Sequence, residues 1–218
     1  MGIKINVAKT AVASAGILMG LGASTVYAEV RTFDISDFDR VDVSSGVDAN
    51  VAVGGDYSVS VDADSDDFDD IKVELKGRTL RIGREYRMGW KRRRGRVQAT
   101  ISMPALRGME ASSGASLDAT GIDAGRFSID VSSGASAEAE GTCESSSVDG
   151  SSGASIKASG LICSDVEVDV SSGASARVHA SDVISADASS GASVTVYGEP
   201  SSRDVSKSSG GSVRFKSE

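Results

Sequence analysis

Several residue types that most globular proteins use are scarce in this sequence. Its 218 residues include two cysteines, two prolines, one histidine and one tryptophan, and only 5% of them are aromatic. One histidine with one cysteine pair is too few ligands for a tetrahedral zinc site. Because large core side chains are also few, stability must come mainly from strand hydrogen bonds and repetitive stacking.

Long hydrophobic runs are missing as well. The apolar stretch 11–24 is shorter than the roughly 20 residues that span a membrane. It follows Lys4 and Lys9 and precedes Val26-Tyr27-Ala28, which has small residues at both positions that a signal peptidase reads. Residues 1–28 are therefore predicted to be a cleaved signal peptide, with a membrane anchor as the alternative. We expect the protein in the periplasm, on the outer-membrane surface or outside the cell.

The chain also has too little positive charge for a protein that binds nucleic acid in bulk. It carries 23 basic and 31 acidic residues, a net charge of −8. Removal of residues 1–28, which contain two lysines and no acid, brings this to −10. A polyanion would be repelled by most of such a surface.

What the sequence does contain is a short motif, Ser-Ser-Gly-Ala-Ser, that returns at a steady interval. It stands at 112–116, 132–136, 151–155, 171–175 and 189–193, with looser copies at 44–48 and 208–212. From Gly114 to Gly210 the motif glycines are 20, 19, 20, 18 and 19 residues apart. A period near 20 indicates a solenoid.

The residues on either side of each motif alternate between small apolar and polar types, as in Leu117-Asp118-Ala119. This is the pattern of a strand with one buried face. Since helical periodicity is missing here, the sequence predicts an all-β fold, a parallel β-helix with coils of about 19 residues. The rule for parallel crossovers makes it right-handed. Residues 29–218 would form one domain.

The first half of that domain, 29–111, is less regular. The segment 41–51 repeats the strand, motif and strand pattern of a coil, and 57–62 and 97–103 alternate as strands. Residues 71–75 and 79–82 flank Lys76-Gly77-Arg78 and read as a hairpin inserted between coils.

This order of segments resembles a known family. The series comprises 38–46, 57–61, 71–75 with 80–82, 101–106 and then the serial motif coils. It is similar to the GIN head domain family of bacterial autotransporter adhesin heads, from about Phe33 to the C-terminus. The resemblance implies a secreted β-helical domain that is adhesin-like.

The least generic stretch is a basic segment, 84–96, which holds seven cations and the only tryptophan of an acidic chain. Arginine forks match phosphate or carboxylate oxygens, and an exposed tryptophan suits a membrane interface or a sugar. Two interpretations stay open: a binding site for an envelope glycan, lipopolysaccharide or anionic lipid, and a solvated hairpin loop. The candidate binding residues are Arg84, Arg87, Trp90, Lys91, Arg92, Arg93, Arg94 and Arg96.

Acidic residues recur four places before every motif glycine except Gly210. We name this row, Asp42, Glu110, Asp130, Asp149, Asp169 and Asp187, the carboxylate ladder. It is either a solvated face that discourages aggregation or a set of calcium ligands, for which Asp130, Asp149, Asp169 and Asp187 are the candidates. A second cluster between Asp62 and Asp70 resembles a calcium loop but lacks its glycine and its final glutamate.

Cys143 and Cys163 both lie ten residues before a motif glycine. Equivalent positions in successive coils stack about 4.8 Å apart, within the Cα separation that a disulfide accepts. A disulfide is therefore the favoured prediction, with two stacked thiols as the alternative.

The sequence contains no motif that brings together the different side-chain types of a catalytic site. The carboxylates recur once per coil, as structural residues do, and no base accompanies the repeated serines. The sequence thus favours a non-enzymatic binding or scaffolding protein of the cell envelope, without a cofactor and with self-association through its end coils as a further expectation. The alternatives are a β-helical enzyme acting on polysaccharide and a calcium-binding structural protein.

The signal peptide makes a direct prediction. Protein recovered from the cell envelope should begin at Glu29, because cleavage follows Ala28. Intact-mass spectrometry checks this, and a chain that retains Met1 or carries a lipid would contradict it.

Overall fold

The computed structural model of the chain describes residues 4–8, 28–64, 67–85 and 95–217. Over those ranges the backbone forms strands and turns, with no helix. The strands join into a single sheet that encloses one core of mostly small apolar side chains. The predicted parallel β-helix is confirmed.

The regular coils stack in strict register. They comprise β10 (Ser116–Val131), β11 (Ser136–Gly150), β12 (Ser155–Val170) and β13 (Ser175–Ala188), followed by β14 (Ser193–Tyr197), β15 (Ser202–Lys207) and β16 (Ser212–Lys216). Leu117 lies beside Ala137, and Ala137 beside Ile156. Residues with the same place in the motif period therefore form rows, with about 4.8 Å between neighbours.

A coil of full length has three flat runs. In β10 the alternation of buried and exposed residues breaks at Thr120-Gly121 and again at Gly125-Arg126, where consecutive residues face outward. With the motif itself, these breaks make three corners. β12 has the same two breaks, whereas the shorter β13 has one, at residues 181–183. We call the run after the motif the first face and the run before the next motif the third face.

The motif is the sharpest corner. In all seven copies the second serine and the glycine both have positive φ, as in Ser133 (54°) and Gly134 (71°). In the five exact copies the alanine N–H donates to the first serine's carbonyl. This is a type I′ turn. The left-handed conformation costs a serine about 1 kcal/mol. The glycine N–H offsets this cost by donating to the next coil, as from Gly134 to the Ser152 carbonyl at 3.1 Å.

The first half contains β3 (Arg40–Val43), β4 (Val47–Val53), β5 (Ser58–Asp64), β6 (Ile71–Lys76), β7 (Thr79–Arg84), β8 (Val97–Met103) and β9 (Gly108–Ala111). β3 and β4 flank the motif copy at 44–48 and stack on β9 and β10, which confirms it as a coil. The predicted hairpin is β6 with β7.

The inserted strands lie at one end of the stack and do not separate two coils. β7 pairs with the outer side of β3, while β8 pairs with β4 and β5 with β8. β2 (Ala28–Asp34) and then β1 (Lys4–Ala8) continue this sheet in antiparallel order. Cleavage after Ala28 would remove β1 and leave β2 as the first strand.

An arginine lies over a phenylalanine near both ends of the core. At the N-terminal end the Arg31 guanidinium is 4.1 Å from the ring centre of Phe68. At the C-terminal end Arg203 is 4.4 Å from the ring centre of Phe215. Each cation covers an aromatic face that would otherwise meet water, and it keeps its charge hydrated.

The two cysteines are in-register partners of β11 and β12, and they form a disulfide with a Cα–Cα distance of 4.5 Å. The bond joins two successive coils directly. It closes a loop with a sequence separation of 20 residues, and the chain-entropy model assigns such a loop about 3 kcal/mol.

Two glycine substitutions separate backbone strain from packing. Gly153 has φ of +73° and open space where a side chain would begin, whereas a Cβ at Gly141 would collide with the Ile122 carbonyl oxygen. Gly153→Ala should lower the free energy of unfolding by about 1 kcal/mol. Gly141→Ala should lower it by more than about 3 kcal/mol. Urea unfolding of both variants checks this, and equal losses would contradict the assignment.

Candidate functional site

The two ends of the basic segment are tied together by a buried ion pair. The Arg84 side chain is only 3% exposed, and its Nη1 lies 3.4 Å from Oδ1 of Asp67. Its Nη2 donates to the carbonyl oxygen of Gly95, while the Gly95 N–H donates to Asp67 Oδ2 at 2.6 Å. Arg84 therefore holds the base of the segment and is withdrawn from solvent.

Glycine is the residue type that fits at position 95 in this base. A Cβ on Gly95 would collide with Asp64 Oδ2 and lie 2.6 Å from Asp67 Oδ2. The sequence motif that resembled a calcium loop thus supplies two carboxylates that surround the end of the basic segment. Among the residues described, no group of three acidic, histidine or cysteine side chains is placed to hold a metal ion.

Arg96 is the other candidate whose position is known. It is 73% exposed and its Nε lies 3.0 Å from Asp48 Oδ2, on the first face. Arg87, Trp90, Lys91, Arg92, Arg93 and Arg94 lie outside the described residues. The structure therefore shows where the segment leaves and rejoins the solenoid.

The structure places the residues of the carboxylate ladder in one continuous row. Its six members are successive in-register partners on the third face, from Asp42 to Asp187. At the N-terminal end the row meets Arg81, whose Nε lies 3.2 Å from Asp42 Oδ2. Arg81 thus forms an ion pair with Asp42, the first of the six stacked acidic residues.

Two members of the ladder have perturbed acidity. Burial raises the pKa of Asp42, against the lowering effect of Arg81, and Asp130 adds to the rise. Burial also raises the pKa of Glu110, and its neighbours Asp42 and Asp130 raise it further. Both shifts follow from partial desolvation beside like charges.

A shallow groove of about 1100 Å³ crosses the coils beside the third face. Arg40, Arg107 and Arg126 line it together with Asp123, Glu144, Asp165, Glu167 and several serines. Arg40 donates through Nη1 to Ser128 Oγ at 3.0 Å. The groove offers both charges and a hydroxyl-rich floor, which are features that suit a sugar. Sequence reasoning missed it because its walls come from segments far apart in the chain.

A second surface that the sequence interpretation passed over is on the first face. Lys157, Arg177 and Arg214 lie in one row, and His179, Tyr197 and Lys216 in the next. In the sequence they are merely the polar members of alternating strands. The repeat period alone would have aligned them.

These features define a class: a β-solenoid protein whose outer faces present ladders of charge and hydroxyl groups. The family model described as "Putative auto-transporter adhesin, head GIN domain" matches residues 37–200, and the chain belongs to that family. None of the curated proteins compared with this chain matches it.

Solved structures share the fold. A "putative adhesin" from Bacteroides fragilis has a TM-score of 0.69 at 16% identity, with 90% of this chain and 100% of that chain covered. A "putative adhesin" from Parabacteroides distasonis has a TM-score of 0.55 at 16% identity, with 88% and 98% covered. A "Putative lipid binding protein" from the same species has a TM-score of 0.51 at 18% identity, with 87% and 96% covered.

The carboxylate ladder predicts an unusual pH dependence. Because the pKa of Glu110 is raised above 4.5, the folded protein keeps this proton at a pH where the unfolded chain has lost it. Its contribution to the free energy of unfolding therefore falls as pH rises through that window. Glu110→Gln should stabilise the protein at pH 7 by a few tenths of a kcal/mol. Most of that gain should vanish at pH 4, where Glu110 is itself protonated.

Urea unfolding of the parent and the variant at both pH values measures this difference. Glu199→Gln, at an exposed corner outside the ladder, is the control and should change the free energy of unfolding at pH 7 less than Glu110→Gln does. A Glu110→Gln effect that does not depend on pH would show that the ladder charges do not interact.

Proposed function

We propose that this protein is an exported, non-enzymatic adhesin-like module that holds an anionic component of the cell envelope through its basic segment. Membership of the adhesin head family supports the class. The signal peptide predicted at residues 1–28 supports export to the periplasm, the outer-membrane surface or the medium. No helix long and apolar enough to cross a membrane occurs in the described ranges.

The observation that carries the proposal is the pinned base of the basic segment. Arg84, Asp67 and Gly95 join its two ends through one ion pair and two hydrogen bonds. The intervening residues 86–94 add five cations to a chain with a net charge of −8. Fixed ends reduce the chain entropy that is lost when a loop binds a ligand. We therefore expect the cations between these ends to act together on one ligand.

The expected partner is an acidic glycan, lipopolysaccharide or anionic lipid, since each offers carboxylate or phosphate oxygens to arginine. Trp90 distinguishes among modes of contact, because an indole ring stacks on a sugar or enters a membrane interface. The solved relative described as a lipid-binding protein makes the lipid partner worth testing.

An enzyme that acts on acidic polysaccharide is the second candidate function. The groove beside the third face favours it, since Arg126, Asp123 and Glu144 are among its unlike lining residues. Incubation of the protein with polygalacturonate, followed by sizing of the polymer, separates the two candidates. A shorter polymer would establish the enzyme, and an unchanged length agrees with a binding module.

Replacement of Arg92, Arg93 and Arg94 by serine should remove most binding to envelope fractions. The reason is that short-range attraction depends on a compact cluster, since charges more than about 10 Å apart are screened near 0.1 M salt. Parent binding should also weaken as salt increases. Co-sedimentation with isolated envelopes measures both effects.

The matched control replaces Lys72, Lys76 and Lys207 by serine, which gives the same change in net charge at exposed positions elsewhere. It should bind within about twofold of the parent, because the lost charges lie outside the cluster. Trp90→Ala adds a further distinction: a loss that persists in high salt indicates stacking or insertion. If the triple loop variant binds as the parent does, the basic segment is a solvated loop and the proposal fails.

A further inference from the structure

The first face changes its charge along the solenoid axis. In its central row Asp118 and Glu138 are followed by Lys157, Arg177, Thr195 and Arg214, each the in-register partner of the one before. In the adjacent row His179 is followed by Tyr197 and Lys216. We define the basic patch as Lys157, Arg177, Arg214 and Lys216, with Tyr197 in its centre.

The patch is uniform in sign over the coils it covers. On the outward positions of β12, β13, β14 and β16 along this face, the described residues include no acidic side chain. Lys157 is joined to Glu138 at 3.3 Å, at the boundary with the acidic coils. Among the described residues no carboxylate lies within ion-pair distance of Arg177 or Arg214. Their guanidinium groups are exposed and available to a ligand.

The spacing of these groups is set by the solenoid. Arg177 and Arg214 are two coils apart with Thr195 between them, which is roughly 10 Å. The Tyr197 ring lies in the neighbouring row between them, and Lys216 Nζ is 5.9 Å from its centre. Two guanidinium forks, an aromatic face and a hydroxyl thus share one flat surface.

We propose that this basic patch binds a short stretch of acidic polysaccharide laid along the solenoid axis. Each arginine would bind the carboxylate of a uronate unit as a bidentate pair, since the planar fork matches that geometry. Tyr197 would lie against the apolar face of the sugar ring between them. Thr195 would hydrogen-bond ring hydroxyls.

The chemistry of the surface favours a glycan over other polyanions. A membrane surface would need several exposed large apolar side chains to enter the lipid. Of Leu75, Ile162 and Val183, the large hydrophobic side chains described as exposed, only Ile162 reaches these rows, as the in-register partner of His179 at their edge. A long phosphate polymer would extend past Lys157 onto Asp118 and Glu138, where like charges repel it. The cationic length of about four coils suits an oligosaccharide of a few units.

The patch is independent of the basic segment. Val97, where that segment rejoins the sheet, lies on β8, and the sheet order runs from β8 through β4, β10 and β11 to β12. Four strand spacings separate them, or about 19 Å. The two surfaces can therefore be tested by separate substitutions.

The test titrates the full chain with a galacturonate tetramer by calorimetry and maps contacts by amide chemical shifts. We expect saturable binding with shifts centred on Arg177, Tyr197 and Arg214. Arg177→Ser with Arg214→Ser should weaken binding at least tenfold, because two charge-assisted pairs are lost. The matched control, Lys72→Ser with Lys76→Ser, should bind within about twofold of the parent, because both lysines lie on β6, away from the first face.

Comparison ligands decide the class of partner. A neutral galactose tetramer should not bind, and Tyr197→Ala should weaken the galacturonate complex while leaving inorganic polyphosphate unaffected. The proposal is overturned if the double variant binds the tetramer as the parent does. It is also overturned if polyphosphate or vesicles with anionic lipid bind the patch more tightly than the tetramer. Loss of self-association in the double variant, measured by sedimentation without ligand, would overturn it too by assigning the patch to a second copy's carboxylate ladder.

Discussion

The structure depends on coils that stack in register, with hydrogen bonds from each coil to the next. The constraint is tightest at the motif corner, where the glycine N–H of one coil donates to the second serine's carbonyl of its neighbour. Ser133 and its equivalents hold a left-handed conformation that serine rarely adopts, and they hold it because the stack over-determines it. The motif therefore has to return in nearly the same form.

The charge pattern of the surface follows from this constraint, because stacking places equivalent residues of successive coils in rows. A carboxylate that occurs once per coil becomes a ladder, and the pKa values of Asp42 and Glu110 are raised by burial and by the like charges stacked beside them. Where the side chain at one position changes from acid to base, as between Glu138 and Lys157, the same geometry divides a face into an acidic half and a basic half. Binding by such a protein depends on spacing along the axis more than on a closed pocket.

Sequence patterns predicted the β-helix, the coil length and the β6–β7 hairpin because each depends on local alternation and on a repeated turn. They did not predict where the insert would lie. Coils on both sides of it in the sequence are direct neighbours in space, and its strands extend the end of the stack. Arg84 was grouped with the surface cations for the same reason: nothing local shows that Asp67 and Gly95 enclose it.

The sequence by itself determined what repeats: the turn, the alternation and the stacking of equivalent residues, including Cys143 beside Cys163. These features are decided within about 20 residues, so a periodic pattern is enough to specify them. Only the tertiary structure decided which charged side chains are buried and which remain exposed to solvent and ligands. Burial of Arg84 and exposure of Arg177 depend on contacts between segments that are distant in the chain, and side-chain type alone does not distinguish them.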